Sequence, residues 1–335
     1  MKSEHSTYPI AAYLAFCIEE MVRRGLNRDE LLDAAGLDGN RFFQPETRLT
    51  VRQELAVYTR IRRLVGAAKF DELGLTLGAE ITINCAGMLG GLAANARNLG
   101  HAGYLLRRFH LLSNRWFAAE LIGALVHGRT VVRYRHTANL KTLHRFMLDL
   151  SVRSTHQLLV EIFGLSACGY YSEIAFGYTK PKNSALYSAA FNCPVSFDHD
   201  CTYVTFNDAA GTLINPKRSE YAYHLYLQHC RDTVLRFDPV SWTQKVLNCL
   251  SRIDTYPSSG SMSETLNCSE RSLRRYLNNE SVQYSELIDR IRLDRAIYLL
   301  SHSSNSIKQI SYQLEYSEPA AFIHAFARWT GSAPS

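Results

Sequence analysis

The strongest constraint on the fold lies in residues 236–335. There a short capped helical pattern, a tight turn and a second short helical pattern occur twice, joined by one long periodic segment. Ser269 stands as an N-cap before Arg271-Ser272-Leu273-Arg274-Arg275-Tyr276-Leu277. At about 100° per residue, Arg271, Arg274 and Arg275 share one face, with Leu273, Tyr276 and Leu277 opposite. Upstream, Gly260–Leu266 predicts a short helix set off by Asn267-Cys268, a helix-turn-helix spacing. The pattern returns with Ser306 capping Ile307–Leu314, the turn Glu315-Tyr316, and a helix from Ser317 that tolerates Pro319 in its first turn. Phe322, Phe326 and Trp329 mark the core face of that helix. Tyr284–Leu300 predicts a long amphipathic helix between the two units. It would hold two recognition helices at the separation of about 34 Å that successive major-groove turns require.

Clustered guanidinium groups opposite an apolar seam suit the major groove, where each fork can pair with guanine O6 and N7. Arginines on one short helix are more often just a solvated face. Two complete units on a shared helix are a different matter. Bulk charge adds nothing to the case. The net charge is +6, from 37 Lys+Arg and 31 Asp+Glu, and residues 239–335 carry ten basic against nine acidic groups. Any nucleic-acid argument therefore rests on local clustering.

One set of spaced residues goes further: Arg292-x-x-x-Ala296, Ile307-x-x-Ile310, and Tyr316-Ser317-Glu318-Pro319-x-x-Phe322-x-x-Ala325-Phe326-x-Arg328-Trp329-Thr330-Gly331-x-x-Pro334. Together with Ser269-x-Arg271-x-Leu273-x-Arg275-x-Leu277, it resembles the AraC/XylS family of bacterial transcription regulators. The resemblance implies base contacts from Arg271, Arg274 and Arg275 in the first unit. In the second it implies Ala320, Ile323 and His324, with Arg328 on phosphate. Ala320 and Ile323 offer only apolar contact to a thymine methyl, so the first unit is the better armed for readout. The resemblance also implies promoter DNA and RNA polymerase as partners, an activator's role, and control by a small-molecule effector or by homodimer formation. No cofactor is implied. Two positions and one stretch depart from the family pattern. Glu315 replaces the usual turn glycine, Ser311 replaces alanine, and Pro257-Ser258-Ser259-Gly260-Ser261 replaces a better helix former, which predicts a short or frayed first scaffold helix.

The 335 residues argue for two domains. We read an α+β N-terminal domain of mixed helices and a small sheet (1–206) for sensing or dimerisation. A linker region and helix (207–235) follows, then an all-α DNA-binding domain (236–335) with two helix-turn-helix units joined by a long helix. Helices are predicted at Arg28–Ala35 behind Asn27, at Leu49–Leu64, Tyr104–Leu112, Leu143–Phe163 and Arg218–Leu235, and strands at Thr130–Tyr134, Ser172–Tyr178 and Tyr203–Phe206. Gly36-Leu37, Leu73-Gly74-Leu75-Thr76-Leu77-Gly78, Gly87-x-x-Gly90 and Phe191-x-Cys193-Pro194-Val195-x-Phe197 resemble the N-terminal domain called the arabinose-binding type, a name that is no evidence of a sugar ligand. The glycines from Gly87 predict close packing, since no phosphate-loop arrangement occurs. The basic helices at Arg60–Arg63 and Arg107-Arg108 are expected as solvated faces, with an acid-binding pocket or partner surface as the alternative.

The eight cysteines include no C-x-x-C pair and read as buried thiols of a reducing cytoplasm. No membrane span or signal peptide is expected. Enzymatic activity is not expected either. Asp198-His199-Asp200-Cys201 with Cys193 is the one cluster that would suit a metal or thiol enzyme tethered to DNA, and its spacing is too loose for a zinc site. A further alternative is an interaction module without base recognition. The residues do not assign a ligand-binding site.

Overall fold

The computed structural model describes residues 7–9, 12–39, 42, 44, 47–112, 116–122, 130–136, 140–164, 170–207, 213–235, 241–303, 305–330 and 333–334. Helices α1 (Ala12–Arg23), α2 (Arg28–Asp33), α3 (Val51–Val65) and α4 (Ala67–Glu80) open the chain. Asn27 caps α2 by accepting from the Glu30 N–H, as expected, and Gly36 follows with φ +63°. Thr50 and Gln53 form a capping box that starts α3. Helix α4 lies against α7 (His144–Phe163) at a distance only glycine permits. A Cβ at Gly74 would stand 2.7 Å from the Phe146 carbonyl oxygen, and one at Gly78 2.7 Å from the Arg153 Cβ. The Leu73–Gly78 motif is thus a packing motif, with Leu75 and Leu77 buried in the main core.

Strand β1 (Thr7–Pro9) pairs with β2 (Arg48–Thr50). A five-stranded sheet has the order β3 (Phe117–Ile122), β4 (Thr130–His136), β7 (Thr202–Phe206), β5 (Tyr171–Ala175), β6 (Val195–Ser196). All its pairings are antiparallel except β5–β6. The three predicted strands are present. The run Ser172–Tyr178 is a strand only as far as Ala175, and beyond it Gly177 lies against the backbone of Cys201, where a Cβ would sit 2.8 Å away. Strands β1, β2, β3 and β6 were not evident in the sequence. Ala118-Ala119-Glu120 in β3 lacks β-branched residues, and β1, β2 and β6 are only two or three residues long.

Helices α5 (Gly87–Ala94), α6 (Leu99–Arg108) and α9 (Glu220–Leu235) share a second core, and α8 (Ala185–Phe191) packs on the first. The predicted close packing is at Gly91, where a Cβ would lie 2.5 Å from the Tyr226 ring of α9.

The C-terminal region is helical throughout its described residues: α10 (Trp242–Arg252), α11 (Ser259–Thr265), α12 (Glu270–Asn278), α13 (Tyr284–His302), α14 (Ile307–Gln313) and α15 (Pro319–Thr330). Helix α13 spans 19 residues, about 28 Å at 1.5 Å per residue. It is not amphipathic in the expected one-sided sense. Leu287 and Ile288 enter one core with α10, α11 and α12, while Ala296, Ile297 and Leu299 enter another with α14 and α15. Its remaining stripe, Arg290, Asp294 and Tyr298 at four-residue spacing, meets the N-terminal region instead of water.

Candidate nucleic-acid interface

In the first unit, Ser269 accepts from the Ser272 N–H at 3.1 Å and starts α12 as predicted. Leu273 and Leu277 are each 1% exposed and pack with Met262, Val246 and Leu250. That seam turns Arg271, Arg274 and Arg275 outward, and all three side chains are exposed. No ion pair among the described residues engages them. Arg275 lies over the Tyr276 ring at 5.1 Å.

The supporting helix α11 is short, at seven residues, as expected. It is not frayed. Ser258 caps it by accepting from the Ser261 N–H, Met262 and Ser263 are buried, and the Ser259 hydroxyl donates to Glu270 at the start of α12. The turn between the two helices uses a left-handed residue, Asn267 at φ 52°.

The second unit repeats this construction. Ser306 and Gln309 form a capping box, and Glu315 takes the left-handed turn position at φ 58°. Its carboxylate accepts from the Tyr256 N–H at 3.1 Å, so the residue that replaces glycine ties the second turn to the loop before α11. Ser311 is fully buried and donates to the Lys308 carbonyl, and Ser263 does the same toward Gly260. Neither hydroxyl is left unsatisfied. On α15, Phe322 and Phe326 are buried, Ala320, His324 and Arg328 are exposed, and Ile323 is half-buried. Arg328 donates to Asp289 of α13 at 2.8 Å. Its charge is therefore partly neutralised.

Two features were missed in the sequence. Trp242 stacks on Tyr276 with ring centroids 4.1 Å apart, and Lys245 lies 4.2 Å over the other ring, Trp242. Lys245, Trp242, Tyr276 and Arg275 thus make a cation–aromatic ladder beside α12. The one-turn spacing Trp242-x-x-Lys245 was its only signal. Arg292, the signature arginine of α13, sits 4.7 Å from both the Tyr256 and Tyr316 rings, so it clamps the loop of one unit to the turn of the other.

The Arg107-Arg108 pair is not a solvated face. Arg107 Nε donates to Asp294 of α13 at 2.7 Å. Arg108 pairs with Asp254 at 2.8 Å and donates to the Ser251 and Ile253 carbonyls at 2.9 Å each. Arg290 pairs with Glu120 of β3 at 2.9 Å, and the Tyr104 and Tyr298 rings stack at 5.5 Å. Burial alone would raise the Glu120 carboxyl, but Arg133, Arg290 and Arg135 together hold it below its ordinary value. The partner surface of these arginines is the chain's own C-terminal region. No local sequence pattern shows this, because Arg107 and Asp294 are 187 positions apart and Arg108 and Asp254 146.

At the other candidate cluster, the His199 ring bonds with the Ser196 hydroxyl at 2.8 Å, and the Cys201 thiol donates to the Tyr134 carbonyl. Burial pushes the Cys193 thiol up to about 11. Among the described residues, no three His, Cys, Asp or Glu side chains are grouped to hold a metal ion, and no helix is long and apolar enough to cross a membrane. Cys168 lies outside the described residues.

Residues 25–212 match the family model described as the arabinose-binding domain of AraC transcription regulator, N-terminal, and residues 262–335 match a helix-turn-helix domain. The chain belongs to the AraC/XylS family. Among family members, it is 28% identical to the HTH-type transcriptional regulator VqsM of Pseudomonas aeruginosa over 277 residues, covering 77% of this chain and 81% of that protein. It is 23% identical to the ornithine utilization regulator of the same organism over 338 residues, covering 97% and 94%. The crystal structure of the transcriptional regulator CdpR from Pseudomonas aeruginosa aligns with a TM-score of 0.44 at 21% identity, over 83% of this chain and 89% of that one. As a family member, the chain is a DNA-binding transcription regulator.

Proposed function

We propose that this regulator reads promoter DNA chiefly through α12, with Arg271, Arg274 and Arg275 on base edges. Helix α15 then docks as a positioning contact through Ala320, Ile323, His324 and the Arg328–Asp289 pair. The observation that carries this reading is the outward display of three guanidinium groups, engaged by no ion pair among the described residues, on a helix held by Leu273 and Leu277. In the fuller form of the proposal, the N-terminal region senses a small molecule or brings two copies together. The promoter-bound protein then contacts RNA polymerase and activates transcription. Both of these steps are supported by family resemblance.

The test is selection of duplexes from a random DNA pool near physiological salt, comparing wild type with Arg274→Ala and Arg275→Ala. A defined site should emerge, and each change should weaken it by about 1–3 kcal/mol with relaxed preference at one base. Absence of any enriched sequence would overturn the assignment.

A further inference from the structure

A cavity of about 140 Å³ lies at the seam between the N-terminal region and the DNA-binding helices. We propose that it is a ligand site, and that its ligand is a compact, uncharged, largely apolar molecule. The inference rests on the regulatory reading above and names where a small molecule would act.

Three observations carry it. First, the walls come from both sides of the seam: Phe109 and Val234 from the N-terminal region, and Leu247, Leu250, Ile291 and Leu293 from α10 and α13. An occupant touches both regions at once. Its binding energy is lost if they part, which is the differential affinity a regulatory ligand requires.

Second, every charged residue lining the cavity already has a partner. Arg107 holds Asp294, Arg108 holds Asp254, and Arg290 holds Glu120. Arg295 donates to the Asp254 carbonyl at 2.7 Å. A charged ligand that engaged any of these three ion pairs would displace one member and leave its partner uncompensated. His110 adds no charge, because burial lowers its imidazole to about 4. A neutral ligand disturbs none of these pairs. Gln244, Asn248 and Thr255 also line the wall and give it polar groups that suit a hydroxyl or N–H on the ligand.

Third, the size is discriminating. The volume is close to that of an engineered apolar cavity of about 150 Å³ that takes up benzene, which suits a ligand of one or two small rings.

The test uses full-length protein with indole as the neutral probe and benzoate as an anionic probe of similar size. Saturation-transfer NMR and thermal melting would be followed, together with affinity for a duplex obtained from the selection above. Indole should bind saturably, raise the melting temperature and change the duplex affinity about fivefold or more. Benzoate should do none of these. Val234→Phe and Leu247→Phe, which fill the cavity from α9 and from α10, should each weaken indole binding about tenfold. Duplex binding without the probe should be retained by at least one of the two variants. No saturable indole binding to wild type, equal binding of benzoate, or indole binding unchanged in a folded filled variant would each overturn the inference. If wild type binds the duplex but indole has no effect, the ligand site fails while the DNA-binding reading stands. If no duplex is selected at all, the DNA-binding reading has failed independently of the cavity.

Discussion

Asp149 shows what one buried ionisable residue does to this fold. It is fully buried in α7, where Tyr178 donates to one carboxylate oxygen and Tyr187 to the other at 2.6 Å. Burial pushes its carboxyl up to about 7, against those two hydrogen bonds and the nearby Arg145 charge. The folded state therefore keeps a proton that the unfolded chain releases near pH 4. That contribution to stability is complete below this pH and is lost as pH rises through about 7. Asp149→Asn keeps an acceptor and removes the titration. The melting temperature of the variant relative to wild type should thus rise from about pH 5 to about pH 8, and a pH-independent difference would contradict the assignment. At Glu315, a left-handed backbone strains any side chain by about 1 kcal/mol, while the carboxylate compensates by accepting from Tyr256. In chemical denaturation, Glu315→Ala, which keeps the strain and loses the bond, should cost about 1 kcal/mol, whereas Glu315→Gly should be close to neutral. The departure at Glu315 was visible in the sequence. Its compensation was not, because the partner Tyr256 N–H lies 59 positions upstream.

Helix α13 is the element on which both halves of the molecule depend. Its ends are buried in two separate helix-turn-helix cores, and its middle stripe is held by α6 and β3. The Arg107–Asp294 pair has side chains only 13% and 21% exposed, so it is screened less than a surface pair. A double-mutant cycle of Arg107→Ala and Asp294→Ala should return a coupling of about 0.5–1.5 kcal/mol that shrinks in high salt. A coupling near zero at low salt would mean that the seam is held by the Tyr104–Tyr298 contact and burial alone. The length of α13 and its apolar content were legible from its periodicity. Which way each face points was not, because a helix gripped on three sides carries no single apolar stripe.

At the scale of the whole molecule, the two helix-turn-helix units are alike in construction and unequal in chemistry. Replacing Ile323 and His324 together by alanine should weaken binding to a selected duplex less than Arg274→Ala does, and should leave base preference nearly unchanged when the selection is repeated. Loss of preference at a distinct base would instead show that α15 reads sequence. The sequence alone determined the helix-turn-helix pairs, the caps Ser269 and Ser306 and the shared face of the three arginines. These depend on residues within a few positions of one another, where periodicity and cap chemistry are decisive. Tertiary structure alone decided the pairing of Arg107 and Arg108 with the C-terminal region, the Trp242–Tyr276 stack, the burial of Asp149 and the cavity at the seam. Each of these joins residues far apart in the chain. No local pattern encodes such a contact until the elements pack, and packing sets which polar groups leave water and which partners they then meet.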